Sequence, residues 1–343
     1  AKVRPHSNVL SCLAERMAMP SLGEVHRRMP KPEEFKNLVR YKGPTSNQVV
    51  LKQAATNSEL QKAVEIGDVN MARAILRYGT AKRCVNVNAP LWPKRQRLLH
   101  LAAQKGFRDM CLLLLEANAE IDAEEISDGK QPLHEACKHG HFDVCELLLD
   151  RKARIEEANF QGLRPLHWAA ANGHVDICDM LLDRRAISHA ASGDTWEPIH
   201  HAAAAGHAEV VQLFCRRGVK PDAETGSGQK ALHLACLGDH QETVLTLLDF
   251  GALFSMEDFS SEGSLRRCQD TEIEDLVREV GQLRFQMDEA EEMADMGLTA
   301  AAAALFETIC GGFSRLKMHQ AASTVRSDAA RLDIDLPKHS LDS

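Results

Sequence analysis

Histidine and cysteine carry the widest chemical range in this sequence, with sixteen and ten copies among 343 residues. Both ligate zinc, and a thiol beside an imidazole can serve as a nucleophile. His139-Gly140-His141 has a ligand-like spacing, and His200-His201 sets two imidazoles side by side. The cysteines, however, form no C-x-x-C pair, which a thiolate zinc site usually needs. Signatures that place a nucleophile, a phosphate or a catalytic metal are also missing: G-x-x-x-x-G-K-[ST], G-x-G-x-x-G after a strand, G-x-S-x-G and H-E-x-x-H. The residues alone therefore predict no enzyme, no cofactor and no metal site.

The histidines instead mark a period. His100, His134, His167, His200 and His233 are separated by 34, 33, 33 and 33 residues. Each closes a phrase: Arg97-Leu98-Leu99-His100, Gln131-Pro132-Leu133-His134, Arg164-Pro165-Leu166-His167, Glu197-Pro198-Ile199-His200 and Lys230-Ala231-Leu232-His233. Small residues follow, as in Leu101-Ala102-Ala103. Six places after the histidine stands Gly106, Gly140, Gly173 or Gly206, with Asp239 in the last copy. An apolar run then closes each unit, from Leu112–Leu115 to Leu247-Leu248. Neither half of such a unit can bury its apolar face alone, so neighbouring units must stack. Small residues let first helices approach, and the leucine stripe is what second helices bury. Pro132, Pro165 and Pro198 suit a first helical turn, where the missing N–H costs nothing.

This pattern resembles the ankyrin repeat, with its TPLH-like phrase, LAA, GH and leucine run. The likeness is strong from Leu91 to Leu253, and a degenerate copy, Leu60-Gln61-Lys62-Ala63 to Leu76-Arg77-Tyr78-Gly79, precedes it. It implies an all-α ankyrin-repeat solenoid of paired antiparallel helices with β-hairpin-like fingers. The family usually places Thr ahead of the proline as a helix cap. Here Arg97, Gln131, Arg164, Glu197 and Lys230 stand there, and a lost capping hydroxyl costs ~1 kcal/mol per helix.

The period also sorts the reactive residues. Cys111, Cys145 and Cys178 share a place with Val211 and Val244; Cys137 and Cys236 share one with Ala103, Ala170 and Ala203. Cys215 stands where Leu115, Leu149, Leu182 and Leu248 stand. A position that exchanges Cys with Val, Ala or Leu belongs to the core. Cys12, Cys84, Cys268 and Cys310 fall outside this argument. His141, His174, His207 and His240 form a second repeated set, so nine histidines follow from the repeat. Free thiols in a long chain without a visible secretory signal suit a reducing compartment, cytoplasmic or nuclear.

Apolar residues at 44% and charged residues at 26% are those of an ordinary globular chain, which excludes whole-chain disorder. No stretch approaches the ~20 apolar residues a membrane span needs, so no transmembrane segment is expected. The net charge of −8 hides an asymmetry: +6 over residues 1–57, −5 over 58–253, −9 over 254–296 and zero beyond. Residues 1–57 read as a basic, mostly irregular arm interrupted by five prolines, with one short amphipathic stretch from Val9 to Met17. Residues 58–253 are the ankyrin-repeat domain, the degenerate copy plus five regular repeats. Residues 254–269 read as a linker, 270–332 as a helical hairpin or coiled coil, and 333–343 as a tail. In that hairpin Ile273, Leu276, Val280, Leu283, Met287, Ala290 and Ala294 recur at heptad spacing. Gly297 is a stop, and a second helix is expected from about Leu298 towards Leu332, weakened at Gly311-Gly312. This hairpin could pair two chains, cover the apolar end of the last repeat or bind a different partner.

The expected function is a non-catalytic scaffold or adaptor that binds a protein partner of unknown identity on the concave face. The resemblance puts that binding on finger tips and first helices. In this sequence those places hold Lys94, Gln96, Gln104 and Lys105, then Asp128, Lys130, Lys138 and His139, then Phe160, Gln161, Leu163 and Asn172, then Asp194 and Trp196. Phe160 and Trp196 are candidate aromatic anchors. Two other readings stay open. One is a substrate-recruiting subunit of an enzyme complex. The other is a binder of an anionic surface, nucleic acid or lipid headgroups, through the basic first repeats, where no acidic residue occurs from Val69 to Arg108.

Overall fold

In the computed structural model, the described residues are 57–82, 85–91, 96–254, 271–332, 334 and 336. The basic arm, the linker from 255 to 269 and most of the tail lie outside them, as do Cys12, Cys84, Cys268 and Lys94. All regular structure among the described residues is helical, apart from two isolated bridges in the fingers.

The first pair is α1, residues 57–66, and α2, Val69–Lys82. The regular repeats follow as α3 (Leu98–Lys105) with α4 (Arg108–Glu116), α5 (Pro132–Lys138) with α6 (Phe142–Asp150), and α7 (Pro165–Ala171) with α8 (Val175–Asp183). They close with α9 (Pro198–Ala204) and α10 (Ala208–Arg216), then α11 (Ala231–Leu237) and α12 (Gln241–Asp249). First helices pack on first helices and second on second, in chain order. The alanines between them, Ala102, Ala103, Ala136, Ala169, Ala170, Ala202 and Ala203, are fully buried. A larger side chain there would hold the repeats apart. The second helices bury their stripes, among them Met110, Leu114, Leu148, Ile177, Leu181 and Phe214. Each such residue contributes about 1.5–3 kcal/mol by leaving water.

The two histidine sets explain how one repeat fixes the next. In every regular repeat the marker histidine sits in the first turn of the first helix. Its Nδ1 accepts the N–H of the residue just ahead of that helix, at 3.0–3.3 Å for Arg97, Gln131, Arg164, Glu197 and Lys230. In the first four repeats its Nε2 donates to the next finger: to Lys130 O, Glu157 O, Ala190 O and Ala223 O. These bonds fix one tautomer, protonated on Nε2. The expected cap hydroxyl is indeed missing, but the histidine ring engages the same turn from inside the helix. The cost predicted from the sequence alone is offset accordingly.

The second set caps backwards. His141, His174, His207 and His240 donate from Nε2 to Gln104 O, Lys138 O, Ala171 O and Ala204 O, near the end of the preceding first helix. Their rings lie over Gly106, Gly140, Gly173 and Gly206, whose φ values are +75 to +79°. A Cβ on any of these glycines would meet the ring at 2.5–2.6 Å. Glycine is required twice, by backbone conformation and by space. The degenerate copy keeps the arrangement with Phe107 over Gly67. Asp239 holds the same place in the last repeat, at φ +55°, where no further repeat brings a ring.

Further pins between repeats come from carboxylate and amide oxygens. Asn88, Asp122, Glu156 and Asp222 accept the backbone N–H of Glu120, Arg154, Ile187 and Leu253, each in the following unit. The fingers are tied as well: Phe160 N–H donates to Asp128 O and Gly193 N–H to Gln161 O.

Three further helices follow among the described residues: α13 (Thr271–Asp295), α14 (Thr299–Arg315) and α15 (His319–Arg331). The expected hairpin is present as α13 and α14, and Gly297 turns it at φ +81°. The second arm is not one helix. It breaks at Leu316–Met318, where Lys317 takes φ +59°. It does not break at Gly311-Gly312, because Gly312 is buried against Leu283: a Cβ there would lie 2.7 Å from Cδ2 of that leucine. Ile273, Val280, Leu283 and Ala290 are buried, joined by Val277 in place of the half-buried Leu276. α13 packs on α14, and both α13 and α15 pack on α12. The heptad seam is thus occupied within the chain, and a coiled coil between chains does not follow from it.

Arg284 and Asp249 make that junction specific. The Arg284 guanidinium donates to Leu248 O at 2.8 Å and to Ala252 O at 2.6 Å, closing the last helix of the stack, and lies over the Phe254 ring. Burial lowers its pKa from the usual arginine range. Asp249 accepts the Ala321 N–H at 2.9 Å, capping the first turn of α15, and burial raises its pKa. The second helix of the last repeat is covered by its own chain, while Leu237 and Leu253 stay exposed.

Candidate functional site

The first helices and fingers form the face on which the expected binding residues lie. Its centre is Trp168, one place after a marker histidine on α7. The Lys130 and Lys138 ammoniums each sit 5.0 Å from its ring, one from the preceding finger and one from the end of α5. Two cations on one indole form a cation–π arrangement. The indole Nε1 is buried and finds no hydrogen-bond partner among the described residues.

The two lysines differ. Lys130 is held by Asp128 at 2.5 Å and Glu135 at 3.6 Å, and its side chain is only 13% exposed. Burial disfavours its charge, but Asp128 and Glu135 outweigh that and raise its pKa. Lys138 is half-buried and has no ion pair among those described. Glu135 also meets His139 at 3.4 Å, and His139 reaches Gln104 at 3.5 Å in the preceding repeat. Partial burial lowers the His139 pKa. A polar chain therefore runs from Gln104 through His139, Glu135 and Lys130 to Trp168, across three repeats.

Beyond Trp168 the face becomes small and aromatic. Trp196 is half-buried, 5.1 Å from the ring of His201, which in turn meets His167 edge-on at 5.5 Å. Burial, helped by His200, pushes the His201 pKa down to about 4. Ala171 ends α7 and Ala204 ends α9, with Ala205 just past it, so small side chains close both helices.

The structure spreads the expected residues over these places. Lys105, His139, Gln161, Asn172 and Asp194 are exposed; Gln96, Lys138, Leu163 and Trp196 are half-buried; Lys130 is engaged by its own carboxylates. Phe160 is 67% exposed, yet one edge covers Gly129 of the preceding finger. Trp168 was missed in the sequence because the repeat assigns its position to Leu101, Glu135, His201 and Leu234 in other copies, which suggests no shared role. An aromatic where the other copies vary was the available signal.

The reactive residues serve the fold. Seven described cysteines are in no disulfide, and six of them are buried; Cys215 is half-exposed. Burial raises Cys111 and Cys215 to about 12 and Cys137 and Cys178 well above the ordinary thiol value. Cys137 and Cys145 approach to 3.6 Å across one helix pair. Among the described residues no group of three or more His, Cys, Asp or Glu could hold a metal ion, and no helix is long and apolar enough to cross a membrane.

The family model described as Ankyrin repeats (3 copies) matches residues 99–192 and 184–258. No curated protein matches the chain. Residues 99–258 belong to the ankyrin-repeat family, a non-catalytic scaffold fold that generally serves protein–protein interaction.

Proposed function

We propose that this ankyrin-repeat chain is an adaptor or scaffold that holds a protein partner against the face centred on Trp168. The observation that carries the reading is the indole itself: a large ring under two lysines, in a face that also carries the Trp196–His201 ring pair. Rigid aromatic surface of this kind supplies binding energy at little entropic cost. The polar chain from Gln104 to Lys130 fixes the surroundings before a partner arrives. Lys105, His139, Phe160, Asn172 and Asp194 would form the rim. Free buried thiols support a reducing compartment, cytoplasm or nucleus.

The test is quantitative affinity capture with the intact chain and with Trp168→Ala, checked for unchanged helical circular dichroism. Partners captured by the intact chain should be lost from the variant, an effect of about 2 kcal/mol or more in a direct titration with a recovered partner. Equal capture by both places recognition elsewhere. Capture that falls steeply with salt while ignoring Trp168 would favour the anionic-surface reading.

A further inference from the structure

The two ends of the repeat stack are unlike in charge. At the far end, α13 runs its carboxylates the wrong way. Asp288, Glu289, Glu291, Glu292 and Asp295 crowd its carboxyl-terminal half, where the helix dipole favours cations, and its last turn holds no basic residue. Several of them are three or four places apart and repel. From Phe285 to Ser314 the sequence contains no Lys, Arg or His to offset them. On one exposed face of this helix, Phe285 is followed by Glu289 and Glu292, and Met296 lies just past the helix end. Phe285 is 71% exposed and Met296 68%. An aromatic knob thus stands out of an acidic face.

The near end carries a socket of opposite sign. A pocket of about 240 Å³ opens between α2 and α4, lined by Arg73, Leu76, Arg77, Leu113, Glu116 and Ala117. Its floor is aliphatic, and Arg73 and Arg77 stand on its rim one helical turn apart, with Glu116 on the α4 side. The α2 helix that forms one wall, Val69–Lys82, contains no acidic residue.

We infer that Phe285 of one chain enters the α2–α4 pocket of a second copy, with Glu289 and Glu292 facing Arg73 and Arg77. The two surfaces lie at opposite ends of the stack, so one chain cannot join its own. Contact between two different surfaces of identical molecules is heterologous, and unless it closes into a ring it propagates head to tail. The charges steer the encounter and the ring supplies the desolvated anchor.

Sedimentation velocity on the full chain tests this. The intact protein should grow beyond a dimer as concentration rises, and the growth should fade at high salt. Phe285→Ser removes the knob, and Arg73→Glu with Arg77→Glu reverses the socket; each variant should be monomeric, with unchanged circular dichroism. Mixed one to one, they retain one working knob and one working socket between them. The mixture should form a dimer and stop there. A monomeric intact chain at low salt overturns the inference, as does a mixture that stays monomeric or a variant that still polymerises. Because Trp168 is untouched in these variants, a failure here leaves the recognition face untested, and a failure of Trp168→Ala leaves this contact standing.

Discussion

The regular repeats and the three C-terminal helices both bury apolar stripes, yet their joints are made differently. Between repeats the same contact recurs: a histidine ring over a glycine, with Nε2 on the carbonyl behind it. Between α12 and the C-terminal helices each contact occurs once, Arg284 on two carbonyls and Asp249 on one amide. A recurrent contact must be satisfied by one chemistry in every copy, so its demands add up along the stack. A singular contact can use a charged group that would be too costly to repeat.

Acid should separate the two regions most. Burial holds His134 and His167 near pKa 4, against 6.5 for an unburied imidazole. The unfolded chain therefore takes up protons first on acidification. Their contribution is whole above pH 6.5 and is lost as pH falls from 6.5 towards about 4, by about 1.4 kcal/mol per pH unit for each histidine. His100 and His200 shift in the same direction, also through burial. Urea titrations across this window should lose several kcal/mol in the repeats. A midpoint that does not move would mean the imidazoles are not buried neutral.

Next in size is the ring–glycine contact. Gly140→Ala places a Cβ 2.5 Å from the His174 ring, at φ +76°. Gly251→Ala has the same kind of backbone, φ +87°, but meets nothing within 4 Å. The first should cost about 3 kcal/mol, conformation plus clash, and the second about 1 kcal/mol. Equal losses in denaturant titrations would show that the ring contact fixes nothing. Smaller again is the singular joint. Arg284→Met should cost about 2 kcal/mol by stripping hydrogen bonds from two carbonyls. Amide exchange should then speed up in 271–332 while the first repeats keep their protection. Uniform loss would mean the two regions open as one.

Legibility followed the same division. The period, the small-residue positions and the buried thiols could be read from residue exchange between copies, because each copy is an independent sample of one environment. Cys111 against Val211 and Val244 is such a case. Arg284 and Asp249 have no second copy, and their partners lie 32, 36 and 72 residues away, so nothing in the sequence singles them out. The break at Lys317 was hidden for a related reason. Gly311-Gly312 looked like the weak point, but the approach of Leu283 makes Gly312 necessary there. Of the candidate face, the fingers and first helices were legible as places; that Lys130 is neutralised by its own neighbours depends on side-chain directions that spacing does not give.

The thiols offer one more consequence. Cys111, Cys145 and Cys178 occupy one position in three successive repeats, each fully buried, and Cys236, at a different position, places a buried thiol in the last. A buried thiol cannot meet a reagent until its own repeat opens. The protein therefore carries a set of internal clocks, read by the rate at which each cysteine is alkylated in native buffer. Resolved by peptide mass, those rates would rank the opening of the repeats along the chain without any substitution.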